Sequence, residues 1–191
     1  MGHSKSATIG DGYLNEKTIG TESIFKGKVL GLRVDTIKLP DGGISQREIV
    51  EHGQSVVIAP LDGDGNVILV RQYRKAAEEI LLEAPAGGIE DGETPSEAAS
   101  REMQEEIGFK PGNLTSIGGF WLAPGFCEEY MHAFIATDLV AGALPADQDE
   151  NIEIVCVSLD KVTSMIKSGV IKDAKSIAVL LMCLNTHISR L

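Results

Sequence analysis

Apolar and polar positions along this chain change period from place to place, and each change marks an element. Up to about residue 15 the chain is polar and glycine-containing with no period, which predicts a flexible arm over residues 1–15. From Lys28 to Leu39, Val, Leu and Ile recur as in one strand or a pair of strand segments, until Pro40-Asp41-Gly42-Gly43 halts them. Ile44 to Glu51 resumes the alternation, so residues 16–50 are expected to hold N-terminal strands built around a hairpin. Ser55 to Leu61 is an apolar run stopped by Asp62-Gly63-Asp64-Gly65-Asn66, and Val67 to Tyr73 restarts it. Ile80 to Ala84 predicts a short strand leading into the glycine turn Pro85-Ala86-Gly87-Gly88.

The period then lengthens. Thr94 can cap a helix, Pro95 suits its first position, and Glu97 stands three residues after Thr94, completing a capping-box pattern. Ala98 to Ile107 contains no glycine or proline, and Gly108 supplies a stop. Ala99, Met103 and Ile107 form one stripe of this helix, while Glu102 and Glu106 form another at its margin. Leu114 to Leu122, Tyr130 to Leu139 and Ile152 to Leu159 read as strands, interrupted by Pro124-Gly125 and by a loop from Ala141 to Glu150. Asp160 to Lys167 and Asp173 to Leu184 read as helices, the last with Ile177, Leu180, Leu181 and Leu184 at helical spacing. Mixed strands with helices on both sides predict a layered α/β domain over residues 51–191.

Composition narrows what such a domain can do. Lys and Arg number 17 against 28 Asp and Glu, a formal charge of -11, so the average surface repels a nucleic-acid backbone and no polynucleotide partner is expected. A small anion can still enter a pocket where cations or arginines reverse the sign. The three cysteines, Cys127, Cys156 and Cys183, are widely spaced and suggest neither a disulfide framework nor a thiolate metal site. No apolar run reaches transmembrane length and none of secretory type stands at Met1 to Asp11, so a cytoplasmic protein without membrane association is the expectation.

The chemistry concentrates in one register: Gly87, five residues, Glu93, seven residues, then Arg101-Glu102-Met103-Gln104-Glu105-Glu106-Ile107-Gly108-Phe109. Glu102 and Glu106, four apart on a helix, can reach one divalent cation, and Glu105 can extend that site or orient water. Magnesium favours such oxygen ligands and keeps several waters. A diphosphate needs the same equipment, because cations neutralise its oxygens and lower the pKa of attacking water. The plain alternative, a solvated charged helix, accounts for the helical period but not for the glycine loop and Glu93 at their fixed distances.

This stretch resembles the signature of the Nudix hydrolases, matching its constrained positions from Gly87 to Phe109. The resemblance implies an α/β/α sandwich with a mixed sheet and hydrolysis of a nucleoside diphosphate linked to another moiety. It further implies that the Ala86 carbonyl, Glu102 and Glu106 bind metal, that Glu105 joins them or polarises water, and that Gly87, Glu93 and Arg101 brace loop and helix. Magnesium is the implied cofactor, with manganese as the alternative.

Residues outside the motif are similar to the ADP-ribose pyrophosphatase branch: Arg47-Glu48, Arg71-Gln72-Tyr73-Arg74, Leu82-Glu83-Ala84-Pro85-Ala86-Gly87, Pro124 fifteen residues after Phe109, and Asp173-Ala174-Lys175-Ser176. Arg74 and Arg47 become candidates for substrate phosphate contacts because a guanidinium presents a fork of donors, with surface ion pairing as the alternative. Glu83 either orients the site or is an exposed strand-end carboxylate. Ala123 to Glu129 looks like the branch's mobile loop, on which Phe126 could close the pocket and Glu128, or its neighbour Glu129, could orient water. Phe120 and Trp121 are expected to pack in the core rather than stack on a base, and His132 to be structural.

The implied reaction is magnesium-dependent hydrolysis of ADP-ribose to AMP and ribose 5-phosphate by direct water attack. A GDP-sugar or other nucleoside diphosphate-sugar pyrophosphatase is the nearest alternative, and a non-catalytic nucleotide sensor the alternative of another class. Strands in residues 16–50 could pair across a two-fold axis, so a homodimer is expected, in which Arg47 could serve either its own or the neighbouring site.

Overall fold

The computed structural model describes residues 14–145 and 151–188, so residues 1–13 of the expected arm and 146–150 of the expected loop lie outside it. The chain divides into two compact units. One comprises the residues up to His52 together with Ala123–Glu128, and the other comprises Gly53–Leu122 with Glu129–Leu191.

The first unit is an antiparallel sheet of β1 (Lys17–Lys26), β2 (Gly31–Lys38) and β3 (Ile44–Glu51), in that order. β2 and β3 form the expected hairpin, with Lys38 opposite Ile44 and Gly31 opposite Glu51. Gly42, at φ 90°, takes the left-handed conformation that closes the turn. β1 has no counterpart in the hydrophobic pattern, because every one of its residues is exposed and no core face dictates its spacing. Its pairing with β2 also shifts register twice, at Thr18/Gly20 and at Ser23/Phe25. The segment Ala123–Glu128 belongs to this unit through its backbone. Val50 N–H donates to the Phe126 carbonyl (2.7 Å), Glu128 N–H donates to the Val50 carbonyl (3.2 Å), and Val50 and Cys127 form a parallel bridge.

The second unit runs β4 (Ser55–Pro60), β5 (Asn66–Arg74), β6 (Glu79–Glu83), β7 (Ala86–Gly88), α1 (Pro95–Glu106), β8 (Phe109–Lys110), β9 (Asn113–Trp121), β10 (Tyr130–Thr137), β11 (Val140–Ala141), β12 (Ile152–Ser158), α2 (Val162–Lys167) and α3 (Ala174–Ile188). β4 and β10 lie parallel at the centre of a four-stranded sheet ordered β7-β4-β10-β9, whose other pairings are antiparallel. A second sheet is ordered β12-β5-β6, and β8 pairs with β11. The four-stranded sheet is therefore mixed, as expected.

Two cores explain why β4 is buried along its whole length. Val57 and Ala59, with Met131, Ala133 and Ile135 of β10, pack with Val179, Leu180 and Cys183 of α3. Val56 and Ile58, with Phe134 and Ala136, pack with Ala98, Ala99 and Met103 of α1 and with Ile107 that caps its end. Successive strand residues point to opposite faces, so one strand serves a helix on each side and the α/β/α layering follows. Each fully buried Ile, Leu or Met contributes about 1.5–3 kcal/mol relative to exposure.

Several boundaries differ from expectation for local reasons. The glycine turn before α1 is partly strand, because Ala86, Gly87 and Gly88 pair with Val57, Val56 and Ser55. A 3-10 turn at Leu159–Lys161 precedes α2, and α3 continues to Ile188 rather than ending at Leu184. Trp121 corrects the core-packing expectation: it is 54% exposed and meets Tyr130 edge-on at 5.2 Å, whereas Phe120 does pack against the first core. His132, half-buried, bonds the Gln54 side chain at 2.8 Å.

Candidate active site

The start of α1 is fixed as its sequence predicts. The Thr94 hydroxyl accepts from Glu97 N–H (3.3 Å), and Thr94 N–H donates back to the Glu97 carboxylate (2.9 Å). Ala98, Ala99 and Met103 then anchor one face in the second core, which sets the rotation of the helix and brings Glu102 and Glu106 to its edge beside β7. Both carboxylates are nearly buried, at 9% and 7% exposure.

Gly87 and Glu102 share one small volume. A Cβ at residue 87 would lie closer than 3.0 Å to all three terminal atoms of the Glu102 side chain, so the absent methyl is the cradle in which that carboxylate rests. One residue earlier, Ala86 N–H donates to Glu106 Oε2 (3.2 Å). The β7 backbone therefore meets both glutamates of the expected metal pair.

Arg101 holds the rest of the motif together. Its Nε and Nη2 take the two oxygens of Glu93, each at 3.0 Å, and Nη2 also donates to the Gly88 carbonyl at 2.9 Å. Nη1 donates to Glu102 Oε1 (2.8 Å) and to Glu105 Oε2 (2.9 Å). The Glu93 bonds, then those of Glu102 and Glu105, raise the guanidinium pKa against the opposing effect of burial, while Arg101 holds the Glu93 carboxyl below its ordinary range. Arg101 thus links Glu93 and the Gly88 carbonyl to the α1 carboxylates Glu102 and Glu105.

Four carboxylates, Glu93, Glu102, Glu105 and Glu106, thus gather at the junction of β7 and α1, three of them in direct contact with Arg101. Among the described residues no three acidic, His or Cys side chains form a ready-made cage. The carboxylate oxygens at this junction are hard donors of the kind that suit a divalent cation. Glu102, Glu106 and the Ala86 carbonyl are the groups that would hold it.

Glu83 and Arg74 stand on adjacent strands of the same unit. Glu83 is 1% exposed, which removes the reading of a solvated strand-end carboxylate. Arg74 donates to it twice, Nε to Oε1 at 2.9 Å and Nη2 to Oε2 at 2.8 Å. These bonds raise the Arg74 pKa against burial, helped by the negative charges of Glu83, Glu106 and Asp173.

The remaining candidates belong to the first unit. Arg47 pairs with Glu16 and also bonds Ser45 Oγ (3.3 Å) and the Gln46 carbonyl (3.0 Å). Phe126 is 59% exposed. Glu128 pairs with Arg33 (3.1 Å), which also binds Glu51 (2.9 Å) and Asp35 (3.4 Å). Glu129, one residue on, lies in the second unit and accepts from the Ser55 hydroxyl at 2.9 Å.

Two groups escaped sequence reading. Arg33 reaches Glu128 across 95 residues, and no local spacing signals such a contact. Lys175 bonds Glu83 across 92 residues; the Asp173-Ala174-Lys175-Ser176 tetrad stood out as a resemblance, but its partner on β6 could not be read from it.

The family model described as NUDIX domain matches residues 51–180, and one described as nucleoside diphosphate sugar hydrolase N-terminal domain matches residues 16–50. The chain is 40% identical over 165 residues to an ADP-ribose pyrophosphatase of Bacillus subtilis (strain 168), covering 85% of this chain and 89% of that one. It is 38% identical over 164 residues to a methanol dehydrogenase activator of Bacillus methanolicus, with the same two coverages. A crystal structure of an ADP compounds hydrolase superposes with a TM-score of 0.84 at 23% identity, over 93% of this chain and 97% of the other. The Gly87-to-Phe109 geometry and a domain match spanning most of the chain lead to one conclusion: this protein belongs to the Nudix hydrolases.

Proposed function

We propose that the protein hydrolyses ADP-ribose to AMP and ribose 5-phosphate, with magnesium as its metal and manganese as a substitute. The observation that carries this reading is the gathering of the α1 carboxylates around Arg101 and β7, with Glu102 seated in the Gly87 cradle and Glu106 accepting from Ala86 N–H. A cluster of hard oxygen ligands, with the half-exposed Arg74 fork in the same unit, suits a diphosphate. The ADP-ribose pyrophosphatase of Bacillus subtilis supports the choice of substrate.

In this reading the metal, when bound through Glu102, Glu106 and the Ala86 carbonyl, neutralises the diphosphate oxygens and acidifies the attacking water. Arg101 and Glu93 keep Glu102 and Glu105 in place. Arg74 receives a phosphate oxygen on the donors Glu83 leaves exposed. Glu105 or Glu128 removes a proton from the water as it attacks phosphorus and the bridging oxygen leaves. Arg47 and Phe126 remain candidate substrate contacts, supported by their resemblance alone.

The N-terminal match favours a second reading, in which the preferred substrate is another nucleoside diphosphate sugar. Turnover of a panel of ADP-ribose, ADP-sugars, GDP-sugars, NADH and coenzyme A with magnesium decides between them by product identification. Preference for a GDP-sugar would displace ADP-ribose, and no turnover of any would leave only a nucleotide sensor. Glu106→Gln is expected to lower kcat by about 100- to 1,000-fold with folding intact. Water labelled with oxygen-18 should mark one phosphate product. Glu105→Gln and Glu128→Gln, compared side by side, identify the base by the larger loss.

We also propose a homodimer formed through the N-terminal sheet. Ile19, Ile24 and Phe25 of β1, Val29 and Leu30 just after it, and Ile44 at the start of β3 expose apolar surface that a second copy could cover. A monomeric mass throughout a concentration series would reject it. Among the described residues no helix is long and apolar enough to cross a membrane.

A further inference from the structure

Glu83 has more than one cationic partner. Its Oε2 accepts from Arg74 Nη2 and also from Lys175 Nζ, in the first turn of α3. Lys175 is itself 12% exposed and donates a second bond to Asp173 Oδ2 at 2.9 Å. That same oxygen accepts from Ser176 N–H (3.0 Å) and from the Ser176 hydroxyl (2.6 Å). The hydroxyl oxygen in turn accepts from Ala84 N–H at 2.7 Å. Ser176 is fully buried. A continuous polar chain therefore runs from the backbone of Ala84 through Ser176, Asp173, Lys175 and Glu83 to the guanidinium of Arg74.

The charges along this chain have a definite consequence. An isolated Arg74–Glu83 pair would be neutral, and a buried carboxylate would draw the whole guanidinium onto itself. Lys175 shares the Glu83 charge. The negative charge this arrangement adds at Asp173 rests on the first-turn N–H of α3, where the helix end is partially positive. Arg74 is left 40% exposed, with its Nη1 bonded to no group among the described residues. The two bonds to Glu83 fix the plane of the guanidinium, so that its outer edge is presented in one orientation.

We propose that Lys175, seated by Asp173 and Ser176, is a positioning residue for substrate: by sharing the charge of Glu83 it keeps the Arg74 fork oriented and available to a substrate phosphate. This deepens the function proposed above and rests on its reading of Arg74 as a phosphate contact. It assigns the first turn of α3 a part in substrate affinity, although Lys175 need never touch the substrate.

A double-mutant cycle on KM and kcat tests it. The variants are Lys175→Met, Lys175→Arg, Arg74→Met and the Lys175→Met/Arg74→Met pair. The substrate is whichever member of the nucleotide panel the unsubstituted protein turns over best. Lys175→Met should raise KM roughly tenfold or more while kcat changes less than about threefold, and Lys175→Arg should restore most of the loss. Because Lys175 acts through Arg74, the double variant should have a KM no higher than that of Arg74→Met alone. Multiplying effects in the double variant would overturn the proposal, as would an unchanged KM in Lys175→Met or equal damage from Lys175→Arg. If Lys175→Met does not fold, Lys175→Gln takes its place with the same expectations, since it can still donate to Glu83 but brings no charge. The two ideas fail separately. Turnover of a substrate other than ADP-ribose corrects the substrate and leaves the cycle to judge the clamp, whereas no turnover of any panel member overturns both.

Discussion

Gly87→Ala is the most economical probe of the site, since it adds one methyl group in the place where Glu102 rests. The new Cβ would lie under 3.0 Å from the carboxylate carbon and both its oxygens, against an ordinary contact range of 3.4–4 Å. The β7 backbone is held by its pairing with β4, so the flexible carboxylate is the group that must retreat, by about 1 Å. Retreat loosens its 2.8 Å bond to Arg101, but Arg101 keeps its four other bonds, and the freed carboxylate turns toward water. The stability cost should therefore be small, about 1 kcal/mol, or about 2–4 °C in melting temperature for a chain of this size. The catalytic cost should be larger, because a 1 Å misplacement at the reacting centre costs about 100-fold in rate, roughly 2.7 kcal/mol. Steady-state kinetics across a magnesium titration, with thermal melting in parallel, separates the two. Gly88→Ala is the stability control, since nothing lies within 4 Å of its added methyl. A Gly87→Ala variant that keeps kcat/KM within threefold of the unsubstituted protein would refute the cradle as the determinant of the Glu102 position.

Arg101→Met strips the cation from Glu93, Glu102 and Glu105; with the arginine 20% exposed, the loss should sit near the lower end of a buried-pair deletion, about 3 kcal/mol, and magnesium should return part of it in a denaturant titration. Equal destabilisation with and without magnesium would argue against a shared cation site. Burial pushes the Glu83 carboxyl up, but Arg74 and Lys175 outweigh it and hold the pKa below the ordinary value. Its contribution to stability is thus present above the unfolded pKa of about 4.3 and is lost as pH falls through the lower native value. Glu83→Gln should flatten that acid limb, and an unaltered limb would show that Glu83 is not the group titrating. Burial pushes the Cys183 thiol up to about 11, while Cys156 is exposed and Cys127 partly so. A thiol reagent at pH 8 should accordingly modify two thiols in the native protein and the third only after unfolding; three native reactions at similar rates would contradict the packing of α3.

What could be read from sequence was whatever depends on near neighbours. Thr94, Pro95 and Glu97 announce the start of α1, and the Ala99, Met103 and Ile107 stripe announces its buried face, because one helix carries all of this information. The spacing from Gly87 to Phe109 was legible for the same reason. β1 was not, since no residue in it is buried and apolar alternation has nothing to report. β7 hid behind its glycines, whose permissive backbone reads as a turn until β4 is there to pair with it. The partners of Lys175 and Arg33 depend on contacts across more than ninety residues, which only the assembled sheets bring about.

The backbone tie between Val50 and residues 126 and 128 bears on how this protein can be cut. A shortened chain beginning near residue 53 would keep the whole Gly87-to-Phe109 motif, and by sequence would pass for a minimal catalytic domain. It would nonetheless leave Ala123–Glu128 without the strand that orders its amide and carbonyl groups, and Glu128 without Arg33. Removing the first fifty residues is therefore also a mutation of a loop more than seventy positions downstream, and any activity lost on truncation should not be credited to dimer contacts alone.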